Sequence, residues 1–255
     1  MSTTDFAAQS GHWYTLTGEP AYTIEAKKGG RRATTIRDAR ALGLVPSVTT
    51  ILRCAAKPGL ERWKVEQALD AVLTLPRGEG ESLDDFKRRA WQDSERQAKE
   101  AAERGSALHA SLEAHYKRGI VPHEHRTHCV AVDMALADKK LCGPWEAERS
   151  FASPLGYGGK LDLSSQTCVV DFKSKPELEG GKQYAYDEHC MQLAAYAHGL
   201  GRPNATLANV FVGLKDGAAI AHVWTPQEAE RGWRMFKLLL DYWMVSNNFG
   251  LKEAA

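Results

Sequence analysis

The sequence GGKLDLSSQTCVVDFKSK, residues 158–175, places charged side chains in a segment that otherwise resembles buried strand. Val169, Val170 and Phe172 are residues typical of a protein core, whereas carboxylates and ammonium groups normally remain in water. The same segment contains two aspartates and two lysines, at Asp162, Asp171, Lys160 and Lys173. This combination is typical of paired strands that carry a polar site on one face.

We predict that this segment is an antiparallel hairpin with its turn at residues 164–167. With a loop of two or four residues, Leu163 pairs with Cys168 and Asp162 pairs with Val169. Because side chains alternate along a strand, the four charged groups then share one face. The apolar side chains expected on the other face are Leu161, Leu163, Val170 and Phe172. A three-residue loop would separate the aspartates, so the prediction depends on the parity of the loop.

Composition limits the class of protein without selecting a function. The chain has 255 residues, of which 43% are hydrophobic and 25% charged, and its net charge is +1. This length suits one domain, or a core with a helical elaboration. The first residues lack the pattern of a secretory signal, and no apolar run approaches the ~18 residues of a membrane helix. We therefore expect a cytoplasmic protein without a membrane partner.

The order of the elements predicts an α/β fold with a helical N-terminal half and a small sheet after it. Residues 1–45 are Gly- and Arg-rich and are expected to be irregular. Ser82 is expected to cap a long helical region that runs to about Gly119 and breaks near Gly105. Residues 146–224 form the expected sheet core. A capping box at Thr225 and Glu228 begins a final helix, predicted at 226–246.

Two carboxylates on one face repel each other unless a proton, a cation or solvent intervenes. Mg²⁺ typically binds one or two carboxylates together with waters and phosphate oxygens. Lys173 lies two residues after Asp171, where it would orient a water or stabilise charge on phosphorus. The spacing alone is equally compatible with the solvated charges of an edge strand.

The segment resembles the PD-(D/E)XK nuclease superfamily, specifically its RecB-type exonuclease branch. GGKLDL supplies the first acid, Asp162, and DFK at 171–173 matches the (D/E)XK element. Upstream, VPSVTTIL and LERWK resemble the N-terminal helical part of phage-type and mitochondrial-type members. The resemblance extends from about residue 46 to 224, so residues 46–255 are interpreted as one nuclease domain. It implies a restriction-endonuclease-like core, in which a small mixed sheet is flanked by helices.

Three further motifs of that branch follow in the expected order. RGSALHASLEAHY contains His109, EAERSF contains Glu148, and QLAAYA contains Gln192 and Tyr196. Glu146 is the alternative to Glu148 as the acid of the EAERSF motif. Each of these residues also has an ordinary interpretation, as a core histidine, a strand charge or a hydrogen-bonded helix pair.

The resemblance implies a divalent-metal DNA nuclease, most closely an exonuclease of phage recombination, replication or repair. Mg²⁺ or Mn²⁺ would be held by His109, Asp162, Asp171 and the Phe172 carbonyl. Lys173 would act on water or phosphate, surrounded by Glu148, Gln192 and Tyr196. A structure-specific endonuclease and a non-catalytic DNA-binding module remain alternatives. If the protein is phage-encoded, its location would be the bacterial host cytoplasm.

The sequence departs from the family at two places. Leu161 stands where the superfamily often has proline. Some relatives bind an iron–sulfur cluster through one early and three late cysteines, but no late trio follows Cys190, so we expect no cluster.

Linear DNA ends or single strands are the expected partner, together with a recombination protein such as a single-strand annealing or binding protein. Basic residues concentrate in the first quarter of the chain, near Tyr14 and Trp63. Cationic groups bind phosphates and aromatic rings stack on bases. The candidate DNA-binding residues are Arg31, Arg32, Lys57, Lys64 and Lys160.

Overall fold

The computed structural model describes residues 11–27, 29–56, 58–180 and 184–250. Helices cover both faces of a mixed five-stranded sheet, which confirms the predicted α/β class and the small mixed sheet flanked by helices. No helix within these ranges combines the length and the apolarity that crossing a membrane would need.

The N-terminal segment is more ordered than its composition predicts. From residue 11 onward it contains strand β1 (Trp13–Tyr14), the hairpin β2 (Thr23–Glu25) and β3 (Arg31–Ala33), helix α1 (Ile36–Leu42) and strand β4 (Val45–Pro46). The prediction of an irregular segment is therefore wrong for residues 11–45. Thr35 and Asp38 form a capping box that begins α1, and Gly43 ends it in the left-handed conformation. The boundary at residue 46 stays a prediction.

The helical half follows as α2 (Val48–Leu52), α3 (Pro58–Thr74), α4 (Leu83–Tyr116) and α5 (Arg126–Asp138), with a 3₁₀ turn at His123–His125. Ser82 accepts a hydrogen bond from the Asp85 backbone nitrogen, so the predicted cap of α4 is confirmed.

The expected break of α4 near Gly105 is wrong, because the helix runs unbroken through this glycine. A Cβ atom on Gly105 would lie 2.7 Å from the hydroxyl of Ser174, which belongs to a strand of the sheet. Glycine therefore serves here to bring the helix close to the sheet. The close approach also brings His109, one turn further on, next to Asp162 of the sheet.

The strands of the sheet, in their spatial order, are β5 (Glu146–Ser153), β6 (Tyr157–Ser164), β7 (Cys168–Lys175), β8 (Thr206–Gly213) and β9 (Ala219–Val223). Strands β7 and β8 form the parallel pair. Helix α6 (Asp187–Gly199) connects these two strands, and α7 (Pro226–Ser246) follows the sheet with the predicted bounds and the predicted Thr225 cap.

Two apolar clusters hold the layers together. One lies against α6 and α7 and includes Leu161 and Val169, and the other lies against α4 and α5 and includes Leu163 and Val170. Leu161 was expected to share a face with Leu163, and the structure places it in the other cluster. The strict alternation of β6 is thus interrupted at the intervening residue, Asp162.

Candidate active site

The hairpin of β6 and β7 has a shorter loop than the predicted register assumes. Ser164 is paired with Val169, and the Ser165 backbone nitrogen donates to the Cys168 carbonyl at 2.9 Å. This bond closes a two-residue loop, so the predicted pairing of Leu163 with Cys168 is wrong by two residues. The loop parity is nevertheless even, as predicted.

Continuing the observed register places Asp162 directly opposite Asp171, although the ladder of backbone pairs ends at Leu163 and Val170. Beyond the end of the ladder, the Asp162 carboxylate bonds to the backbone of β7 in place of a main-chain carbonyl. One of its oxygens accepts a hydrogen bond of 2.7 Å from the Phe172 backbone nitrogen. Its other oxygen lies 3.4 Å from Nδ1 of His109. Asp162 thus links β7 to α4, and the prediction that His109 meets the hairpin acids agrees with this contact.

Asp171 is almost fully enclosed, with 3% of its surface exposed. Its Oδ2 accepts from the Lys173 ammonium at 2.8 Å and from the Asn209 amide at 2.9 Å. Its Oδ1 accepts from the Gln192 amide at 3.0 Å. A buried carboxylate with three donors is fixed in orientation.

Gln192 and Tyr196 lie one turn apart on α6 and face this carboxylate. The Gln192 amide oxygen accepts from Lys173 at 3.0 Å, while its nitrogen donates to the Tyr196 hydroxyl at 2.9 Å. Gln192 therefore holds the acid and the lysine of the DFK element at once. The structure brings these two residues to Asp171 and Lys173, as the motif predicted.

Asn209 and Trp224 belong to the same network, and the sequence analysis missed both. Asn209 is fully buried and lies beside Asp171 in the parallel pair of β7 and β8. The Trp224 indole nitrogen donates to the Asn209 amide oxygen at 2.9 Å, which fixes the amide with its nitrogen toward Asp171. An asparagine inside the apolar run TLANVFVG was the available signal, since a buried amide requires partners.

Glu148 and Glu146 have different surroundings. Glu148 pairs with Lys160 and lies on β5 at the position opposite Asp162, and 14% of its side chain is exposed. Glu146 pairs with Arg149 at 2.6 Å, with 52% of its side chain exposed. Glu148 also has a φ angle of 57°. For a residue other than glycine this conformation costs on the order of 1 kcal/mol or more, and such strain concentrates at functional sites.

The charges of the site influence one another. Burial raises the pKa of Asp171 above its usual range, and this exceeds the opposing effect of Lys173. Burial acts on Asp162 in the same direction, but His109 and Lys173 together hold the pKa of this carboxyl below its usual range. Burial disfavours the charged forms of Lys173 and His109, yet the aspartates raise the pKa of both. The two carboxyl groups are thus electrostatically unequal.

The donor chemistry of the site fits a hard divalent cation. Carboxylate oxygens, an imidazole nitrogen and a backbone carbonyl suit Mg²⁺ or Mn²⁺. His109 and Asp162 face each other across 3.4 Å, whereas the Asp171 oxygens point to amide and ammonium donors. Within the described ranges, no three His, Cys, Asp or Glu side chains already form a cluster suited to a metal ion. The metal roles of His109, Asp162, Asp171 and Phe172 stay predictions.

The candidate DNA-binding residues lie in different places. Lys160 borders the site through its ion pair with Glu148. Arg31 donates to Thr23 across the β2–β3 hairpin, and Lys64 is exposed on α3. The Arg32 guanidinium is engaged by Asp38 at 2.6 and 2.8 Å. Lys57 lies outside the described residues.

Neither a protein-family profile nor a curated protein sequence matches this chain. Among solved structures, the chain is similar to a candidate exonuclease from Eubacterium rectale, with 9% identity, a TM-score of 0.40, and 58% of this chain and 69% of that chain covered. It is also similar to the protein SSO0001, with 13% identity, a TM-score of 0.28, and 71% and 86% covered. Similarities this weak carry no functional argument. Any inference about function therefore depends on the residues of the site.

Proposed function

We propose that this protein is a divalent-metal-dependent DNA nuclease of the RecB-type PD-(D/E)XK branch. The observation that supports it best is the joined arrangement of Asp162, Asp171 and Lys173. Asp162 and Asp171 are opposite in register, and Lys173 contacts Asp171 at 2.8 Å. These residue types, at these positions, are those that the DFK and GGKLDL motifs require together.

The cation would be held by His109, Asp162, Asp171 and the Phe172 carbonyl. When bound, Mg²⁺ or Mn²⁺ would supply positive charge where negative charge develops on the phosphate during hydrolysis. The protein's contribution is the fixed orientation of the two acids. Phe172 holds Asp162 through its backbone nitrogen, and Asn209 and Gln192 hold Asp171 from two sides.

Lys173 is the group best placed to act on water or phosphate. Asp171 and Gln192 restrict its ammonium group to one position, and 25% of its side chain is exposed. A cation oriented in advance stabilises developing charge without reorganising during the reaction. A lysine that served only to attract DNA would need neither the buried acid nor the amide, so this geometry favours an enzyme over a binding module.

The exonuclease activity and the recombination or repair role are the more specific claims of the proposal, and they derive from the motif resemblance. The test is incubation of purified protein with linear and with covalently closed circular single-stranded DNA, in Mg²⁺ or Mn²⁺ and in excess EDTA. The proposal expects nucleotides released from linear DNA with metal present. Cleavage of the circle would replace the exonuclease by an endonuclease, and full activity in EDTA would exclude the metal mechanism.

A further inference from the structure

We propose that a cleft beside the candidate active site binds an unpaired nucleobase, with His12 and Tyr22 as its stacking surface. This inference rests on the proposed nuclease function and adds to it a specific base-binding site. The cleft has a volume of about 300 Å³. The lining residues that matter for recognition are His12, Tyr14, Tyr22, Thr49, Lys160 and Tyr196.

A chain of hydrogen bonds connects the cleft to the acids through Tyr196. This tyrosine lines the cleft, and its hydroxyl accepts the hydrogen bond from Gln192, which in turn donates to Asp171. The side chains of Tyr196 and Gln192 thus lie between the cleft and the Asp171 carboxylate. Gly159 allows the Tyr196 ring to pack closely against β6, since a Cβ atom there would lie 2.8 Å from this ring. In this proposal, a nucleotide whose phosphate lies at the acids places its base in the cleft.

His12 and Tyr22 form an aromatic pair on the cleft wall. Their rings are stacked with centroids 4.5 Å apart and planes inclined by 26°. Tyr14 supports the pair from the interior, because it is buried, contacts Tyr22 edge-on, and joins it by a 2.5 Å hydrogen bond between the hydroxyls. Aromatic side chains held in this way provide the surface on which nucleobases stack.

Charge and size favour a base over a phosphate as the occupant. Partial burial, together with the nearby Arg53, lowers the pKa of His12, which favours the neutral form of its ring. A neutral ring attracts a phosphate weakly but stacks well. Lys160, whose ammonium group is paired with Glu148, is the cationic residue on the same lining. A volume of about 300 Å³ is at the lower limit of small-ligand sites, enough for one nucleotide and too small for a base pair.

The test compares two single strands of equal length, an oligothymidine and an abasic oligomer with the same phosphates. Affinities are measured by fluorescence anisotropy in EDTA, so that the proposed cleavage cannot interfere. We expect His12→Ala and Tyr22→Ala to weaken oligothymidine binding about fivefold or more. The same variants should bind the abasic oligomer as the parent does. Tyr22→Phe keeps the ring and should bind like the parent.

The matched control is Tyr242→Ala, which removes an exposed tyrosine from α7 and should change neither affinity. His12 is exposed, so its variant tests the cleft even if Tyr22→Ala folds poorly. Unchanged oligothymidine binding by His12→Ala, and by Tyr22→Ala where that variant folds, overturns the proposal. Equal losses for both oligomers also overturn it, because the contact would then be to the backbone.

The outcome is independent of the nuclease proposal. If the protein does not cleave DNA but these variants lose base-dependent affinity, the proposed base-binding cleft is supported and the nuclease proposal is excluded. If the protein cleaves DNA but these variants lose no base-dependent affinity, the nuclease proposal is supported and the base-binding cleft is excluded.

Discussion

Asn209 lies beside Asp171 in the parallel strand pair and donates a 2.9 Å hydrogen bond to its carboxylate. Trp224 holds the asparagine amide in the orientation that makes this bond possible. The acid of the DFK element is therefore fixed from the side of the sheet as well as from α6. Asn209 acts as a positioning residue, because it reaches the proposed reaction only through Asp171.

Replacing Asn209 by alanine should reduce cleavage by roughly 10- to 100-fold, the range typical of residues that orient metal ligands. It should also lower the free energy of unfolding by about 1–3 kcal/mol, since the buried indole donor of Trp224 loses its partner. Cleavage per folded molecule and chemical denaturation measure the two effects. Asn204→Ala, at an exposed position, is the control and should change neither. Loss of stability with normal activity per folded molecule would restrict Asn209 to a structural role.

The two glutamates of the EAERSF motif should differ sharply on conversion to glutamine. Glu148→Gln should reduce cleavage by tenfold or more, because this carboxylate is largely enclosed, opposite Asp162, and paired with Lys160. Glu146→Gln should have little effect, since its ion pair with Arg149 is exposed. Initial rates of nucleotide release at saturating metal compare the pair. The reverse order would assign the motif's acid to Glu146.

Lys173→Gln should reduce the cleavage rate by at least about 100-fold and leave Mn²⁺ binding largely intact. The reason is that the ammonium group would act on water or phosphate rather than on the metal ion. Electron paramagnetic resonance measures free Mn²⁺ in the presence of the variant and of the parent. Lys215→Gln, at an exposed position in the β8–β9 turn, serves as the control. If Mn²⁺ affinity falls in parallel with activity, Lys173 instead arranges the acids.

Gly199→Ala should destabilise the helix that carries Gln192 and Tyr196. A Cβ atom at this position would lie 1.9 Å from the ring of Phe151, so either the ring or the helix must move. We expect the free energy of unfolding to fall by about 1–3 kcal/mol. Gly59→Ala is the matched control, because nothing lies within 4 Å of its Cβ, and it should gain about 0.5–1 kcal/mol from helix propensity. Equal effects in urea denaturation would contradict the packing argument.

Local patterns in the sequence predicted the elements that bear the site. The capping residues Ser82 and Thr225 begin their helices as expected, and even loop parity sufficed to predict that both aspartates share one face, although not that they lie opposite each other. The register itself was misjudged by two residues, because Ser164 reads as a turn residue although it is paired with Val169 in the sheet.

Tertiary contacts explain what the sequence could not predict. Gly105 suggests a helix break when only the neighbouring sequence is considered, whereas in the structure it allows α4 to approach the sheet closely. Asn209 meets Asp171 only through the parallel pairing of distant strands. The cleft joins His12 and Tyr22 to Tyr196, more than 170 residues away.

Metal-dependent cleavage of linear single-stranded DNA by the parent and by Asp171→Asn tests the central claim most directly. The substitution keeps the size of the side chain and removes one negative charge from the proposed metal site. Nucleotide release is measured in Mg²⁺ and Mn²⁺ and in excess EDTA, and DNA binding is measured alongside by anisotropy. The account predicts metal-dependent release by the parent, a loss of several orders of magnitude in the variant, and DNA binding that is retained or tighter, since one carboxylate no longer repels the phosphates. Cleavage by Asp171→Asn at the parent's rate, or a parent that binds DNA without cleaving it in either metal, would contradict the account.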